Sequence, residues 1–110
     1  MEIHETKQDA AVILSVKGRV DASSSAGLEQ RLLGLIESGE RRIVVDCAQL
    51  DYISSAGLRA LLVAVKRLNA SGGKMALGDL KDEIREVFDI AGFSSIFSIY
   101  PNTDAALGKM

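Results

Sequence analysis

The stretch Arg42–Leu68, RIVVDCAQLDYISSAGLRALLVAVKRL, joins two apolar patterns of different period. Arg42 to Asp46 is short, nearly all apolar and rich in β-branched residues, the pattern of a strand buried on both faces. From Leu58 onward, Leu61, Leu62, Val65 and Leu68 recur at helical spacing over about three turns, until Asn69-Ala70-Ser71-Gly72-Gly73 supplies a run of turn formers. Leu50 to Ser55 reads as the link between the two. A buried strand feeding an amphipathic helix through a short link is the repeating unit of a parallel α/β sheet.

The same alternation continues in both directions. Upstream, Ala10 to Val16 is an apolar strand ending at Lys17-Gly18, and Glu2 to Lys7 is a weaker strand that forms an opening hairpin with it. From about Ser24, Leu28, Leu32, Leu35 and Ile36 mark one helix face that stops near Ser38-Gly39. Downstream, Lys74 to Gly78 is a short strand. Ile84, Val87, Phe88 and Ala91 mark a helix stopped by Gly92, and Ile96 to Tyr100 is the last strand before Pro101. Asn102-Thr103-Asp104 offers capping oxygens to a short helix through Leu107. The expected fold is therefore α/β. It has a mixed sheet of about five strands, with a mostly parallel core and an antiparallel N-terminal strand, and four to five helices in one domain over residues 1–110. In such sheets a site is expected beyond the carboxyl ends of the strands.

Composition removes several function classes. Of 110 residues, 47% are hydrophobic and 25% charged, near the globular average, so neither disorder nor a membrane protein is expected. No apolar run approaches the roughly 20 residues of a bilayer span, and Met1-Glu2-Ile3-His4-Glu5 lacks the pattern of a secretory signal, which points to the cytoplasm. A net charge of -2 with dispersed Lys and Arg gives no basic stripe, so no nucleic-acid partner is expected. With one cysteine, Cys47, and one histidine, His4, there is no internal disulfide and no zinc cluster. Cys47 reads as buried filler at a strand end rather than a reactive thiol.

The glycine patterns of nucleotide-binding loops and the Gly-x-Ser-x-Gly nucleophile pattern are missing, so no cofactor and no metal are expected. His4 sits in the N-terminal segment, where a solvated or edge-strand role suits it better than that of a catalytic base. Asp46 ends an apolar strand, as a phospho-accepting aspartate would. The position after the preceding strand, however, offers only Lys17-Gly18-Arg19 where acidic magnesium ligands would be needed, so Asp46 is read as orienting the following loop.

The informative segment is Asp51-Tyr52-Ile53-Ser54-Ser55-Ala56-Gly57-Leu58-Arg59, with two serines at a helix start. One reading is capping: a hydroxyl accepts a hydrogen bond from a free amide of the first turn, worth about 1 kcal/mol, and Ser54, as the residue before the helix, is expected to be that cap while Ser55, in the first turn, projects outward. The other is that one serine accepts a phosphate, which the free amides and positive end of the helix dipole would tolerate without unfolding anything. Gly57 costs about 1 kcal/mol of helix propensity relative to alanine, which hints at close approach by another backbone or protein.

Taken with Gly18-Arg19-Val20-Asp21, Ile43-Val44-Val45-Asp46 and the closing Val87-Phe88, Gly92-Phe93 and Ile96-Phe97, the segment from Tyr52 to Leu58 resembles the STAS domain family, and within it the small single-domain anti-sigma factor antagonists. Order and spacing match over nearly the whole chain. The usual family core is Asp-Ser-Ser/Thr-Gly-Leu. Aligned on Gly57-Leu58, it puts the phosphoacceptor at Ser55, with Ser54 in place of the aspartate and Ala56 as a common variant. The resemblance implies a non-enzymatic, bacterial switch in signal transduction. The unmodified form binds and sequesters a serine-protein kinase that is also an anti-sigma factor, phosphorylation of Ser55 releases it, and a PP2C-type phosphatase resets the system. By the same resemblance Asp21 is the loop aspartate that helps recognise the kinase, though it could equally cap the helix beginning near Ser24. Arg59 stands where a small residue is usual and changes the charge beside Ser55. The partner-binding surface is expected to comprise Asp21, Ser54, Ser55, Ala56, Gly57, Leu58 and Arg59. The competing readings are a constitutive STAS scaffold that is never phosphorylated, and a small serine-dependent enzyme.

Overall fold

A computed structural model of the chain describes residues 1–109, so the expected domain end at Met110 lies outside the described residues. Apolar alternation decides which strands lie centrally. β1 (Glu2–Gln8) and β2 (Ala11–Val20) form the expected hairpin, followed by α1 (Ser25–Glu37), β3 (Arg42–Asp46), β4 (Leu50–Ile53), α2 (Ser55–Ala70), β5 (Lys74–Gly78), α3 (Asp82–Ile90), β6 (Ser98–Tyr100) and α4 (Thr103–Gly108). The sheet order is β1-β2-β3-β5-β6. Every pairing in it is parallel except β1 with β2, and β4 pairs in parallel with the far end of β2.

This is the mixed α/β sheet expected, with six strands and four helices among the described residues. The additional strand is β4, in the segment read as a link. It exists because β2 does not stop at Lys17-Gly18. At Gly18, where φ is +91°, the register shifts, the Gly18 amide donates to the Gln49 carbonyl at 2.9 Å, and Arg19 and Val20 run on to pair with Tyr52 and Ile53. A bulge at a glycine thus turns the end of one central strand toward a new partner.

β3 is buried on both faces, as its sequence requires. Ile43 and Val45 join Val12, Leu14, Val16, Met75 and Leu77 under α1, α2 and α3, while Val44 joins Ile13 and Ala76 against Ala106 of α4. The helices contribute Leu28, Leu32, Leu35 and Ile36 from α1, Leu58, Leu61, Val65 and Leu68 from α2, and Ile84 and Phe88 from α3. Leu62, whose spacing fits the α2 apolar face, is only half-buried. The last strand begins at Ser98 rather than Ile96. The Ile96 and Phe97 amides both close onto the Phe93 carbonyl, and this turn brings Phe97 edge-on to Phe88, ring centroids 5.4 Å apart. Among the described residues no helix is long and apolar enough to cross a membrane, and no acidic, histidine or cysteine side chains group as a metal site.

Candidate functional site

The site lies where β2 and β4 run out together and α2 begins. Extended backbone carries Ile53 into the core. Ser54 follows with φ -88° and ψ 173°, and its amide donates to the Val20 carbonyl at 2.9 Å, which ties the helix start to the end of β2. The Ser54 hydroxyl oxygen accepts from the Gly57 amide at 3.2 Å, and the Ser54 carbonyl accepts from the Leu58 amide at 2.9 Å. Ser54 is thus the residue before the helix, with its oxygen turned in toward the first-turn amides.

Ser55 is the first helical residue and is exposed, with no hydrogen bond from its hydroxyl among the described residues. The two serines divide the roles as expected: the Ser54 side chain closes the helix, and Ser55 faces outward. Ala56 is half-buried, Leu58 is buried in the core, and Arg59 is exposed one turn beyond Ser55.

Gly57 explains how the helix can start so close to the sheet. A Cβ there would lie 2.7 Å from Ile53 Cγ1, 2.8 Å from Val20 Cγ1 and 3.3 Å from the Val20 carbonyl oxygen. The close approach suggested by the sequence is therefore internal, to β2 and β4, rather than to another protein.

Asp21 closes the adjoining loop. Its Oδ1 accepts from the Ser23 amide at 3.0 Å, the Ser23 hydroxyl at 2.7 Å and the Ser24 amide at 3.2 Å, while its own amide donates to Ser24 Oγ at 3.0 Å. These bonds, those from Ser23 foremost, hold the half-buried Asp21 carboxyl below the ordinary carboxylate value. Asp21 therefore orders the turn ahead of α1, and α1 itself, preceded by Ser24, has no side-chain cap. The Val20-to-Ser54 hydrogen bond joins this loop's strand directly to the start of α2.

Two features of the surface were not readable from the sequence because they depend on contacts that β4 makes, one with β2 and one with the start of α3. The Arg19 guanidinium lies over the Tyr52 ring, 4.1 Å from its centroid, and Tyr52 is 39% exposed. Lys81, at the start of α3, pairs with Asp51 and with its hydrogen bond holds the Asp51 carboxyl below the ordinary value.

The chemistry considered elsewhere falls apart from Ser55. His4 sits on β1 opposite Ser15 of β2, and the Ser15 hydroxyl donates to Asp46 Oδ2 at 3.1 Å. Asp46 Oδ1 accepts from the Ala48 amide at 3.1 Å, the loop-orienting role read from the sequence. Cys47 is buried, and burial, reinforced by the charges of Asp46 and Asp79, pushes its thiol strongly upward.

The family model described as STAS domain matches residues 2–106. BtrV of Bordetella bronchiseptica, provisionally named an anti-sigma factor antagonist, is 42% identical over 106 residues, covering 96% of this chain and 91% of that protein. The crystal structure of a Thermotoga maritima protein, likewise provisionally named an anti-sigma factor antagonist, superposes with a TM-score of 0.92 at 18% identity, covering 97% of this chain and 92% of that one. The Bacillus cell fate determinant SpoIIAA, solved in its phosphorylated form, superposes with a TM-score of 0.74 at 17% identity, covering 98% of each chain.

Proposed function

Because the chain belongs to the STAS domain family, we propose that it is a non-enzymatic binding module over residues 1–110, an anti-sigma factor antagonist switched by phosphorylation at Ser55. The observation that carries this reading is the division of labour at the start of α2. Ser54 supplies the cap through Gly57, and Ser55, exposed and with a hydroxyl free of hydrogen bonds among the described residues, is open to modification. The name of the Bordetella relative supports the regulatory role, and SpoIIAA is a protein of this fold that takes a phosphorylated form.

The unmodified protein binds a serine kinase that doubles as an anti-sigma factor through Asp21, Ser54, Ser55, Ala56, Gly57, Leu58 and Arg59. Of these, Gly57 and Leu58 act by shaping the surface from beneath, since both are buried. Phosphorylation places about -1.5 to -2 charges on a surface that must be desolvated for binding. A penalty of about 3 kcal/mol lowers affinity by roughly two orders of magnitude. A PP2C-type phosphatase restores the binding form in the cytoplasm.

The test is incubation with a candidate kinase and ATP, read by intact mass and tandem mass spectrometry. One phosphate on Ser55, absent in Ser55→Ala, is expected, with Ser55→Ala folding normally and binding the partner permanently. Ser55→Asp, with a single charge, weakens binding only in part. Phosphate on Ser54 overturns the assignment of the switch to Ser55, and equal partner affinity of the two forms, or no phosphate at all, overturns the switch in favour of a constitutive scaffold. Ester or phosphoester hydrolysis lost in Ser55→Ala would make the protein an enzyme.

A further inference from the structure

Among the described residues, Arg59 is the exposed cation on this face with neither an ion pair nor an aromatic ring against it. Arg19 is stacked on Tyr52 and Lys81 is paired with Asp51. Arg59 takes part in no ion pair among the described residues, although it is exposed on the solvent side of α2. Ser55 and Arg59 are four residues apart in one helix of Ser55–Ala70, which places them about 40° apart around its axis on the same face. Helical side chains lean toward the N-terminus, so the long Arg59 side chain leads back over Ser55 rather than away from it.

Resting on the reading of Ser55 as phosphoacceptor, we propose that Arg59 is the built-in counter-ion of phospho-Ser55: modification closes an i,i+4 ion pair in which the guanidinium donates to the phosphate oxygens. A guanidinium presents its donors in a planar fork that suits two oxygens of one phosphate. The acidic groups nearby do not compete for it, since Asp51 is held by Lys81 and the Asp21 carboxylate accepts from Ser23 and Ser24. Phosphorylation then does two things at the binding face. It adds negative charge, and it withdraws Arg59, a cation in no ion pair among the described residues, from the carboxylates of a partner.

The experiment does not depend on any kinase. Phosphoserine is installed at position 55 during translation, and the second ionisation of its phosphate is followed by 31P NMR as a function of pH in the full chain and in Arg59→Gln and Arg59→Lys. Pairing stabilises the dianion, so the unaltered chain is expected to titrate lower than Arg59→Gln by about 0.3 pH units or more. Arg59→Lys should retain part of that difference. The difference between the unaltered chain and Arg59→Gln should shrink at about 0.5 M NaCl, where exposed charges are screened. Equal titration of the unaltered chain and Arg59→Gln, or a difference between them that salt does not reduce, overturns the pairing. The two ideas fail separately: a kinase that never modifies Ser55 defeats the phosphoacceptor reading while the installed phosphate still reports the pair.

Discussion

Replacing Gly57 by alanine sets two effects of opposite sign against each other at one position. On helix propensity alone the change is favourable by about 1 kcal/mol, because Gly57 lies inside the first turn of α2. Packing opposes it. The new methyl would sit 2.7 Å from Ile53 Cγ1 and 2.8 Å from Val20 Cγ1, and 3.3 Å from a backbone oxygen. Both side chains are β-branched, buried and stiff at χ1, so neither can swing aside as the end of a lysine would. Overpacking of this kind costs about 1–3 kcal/mol, and backing the helix away would also strain the Ser54 cap, worth about 1 kcal/mol. The net expectation is a loss of about 1–2 kcal/mol, or a fall in Tm of about 4–15 °C for a domain this size. Gly34 is the internal control. It lies in α1 with nothing within 4 Å of where a Cβ would be built, so Gly34→Ala should stabilise by about 0.5–1 kcal/mol. Urea unfolding of both variants, with the m-value checked for constancy, measures the pair. If Gly57→Ala equals or exceeds the parent in stability, α2 is not pressed onto β2 and β4 as described, and the account of the site's geometry fails.

Ser54→Ala should cost about 1 kcal/mol in the same urea assay, through loss of the bond from the Gly57 amide, while leaving phosphorylation of Ser55 intact by mass spectrometry. The Asp21 carboxyl is held below its ordinary value of 3.8, so its contribution to stability is present above that pH and disappears as pH falls through the folded-state value. Asp21→Asn should therefore flatten the acid limb of a plot of urea midpoint against pH, and an unchanged limb would contradict the bonding described for Asp21. Cys47, buried with its thiol pushed upward, should resist a thiol reagent in the native protein and react stoichiometrically in denaturant, read by absorbance.

The alternation of strands and helices was legible because each element carries its own period. Ile43, Val44 and Val45 announce a strand buried on both faces, and Leu28, Leu32, Leu35 and Ile36 announce a helix face, before any tertiary contact is known. β4 was not legible, because nothing local distinguishes Leu50–Ile53 from a connection. Its buried ends and exposed middle do not alternate, and it is a strand only because the bulge at Gly18 sends Arg19 and Val20 past β3 to meet it. The same non-local pairing hid the stacking of Arg19 on Tyr52. The Ser54-Ser55 pair and its division of roles were legible from helix-start chemistry, because the residue before the helix has extended backbone that turns its oxygen toward the first-turn amides, as Ser54 does. Gly57 signalled a close approach without naming its partner. Val20 is 37 positions away in sequence and reaches Gly57 only through the β2–β4 register.

That division of roles also decides where the energy of a switch at Ser55 can reside. A modification can strain the fold only through contacts that the modified group makes or blocks. The Ser55 hydroxyl makes no hydrogen bond among the described residues, while the neighbouring positions carry the structure: Ser54 through its cap, Gly57 through its fit against Val20 and Ile53. A negative charge in the first turn of α2 is, if anything, favourable to the helix by about 0.3–1 kcal/mol. The same charge buried against a partner must be stripped of water and paired, and an unpaired buried charge costs several kcal/mol. Under the proposed switch, the fold and the complex would thus respond to one phosphate with opposite signs, so the domain need not change shape for binding to change by orders of magnitude. A switch of this kind should leave the protein's own urea midpoint level or slightly raised by phosphorylation while partner affinity falls. A phosphorylated domain that is less stable than the unmodified one would instead place the switch inside the fold.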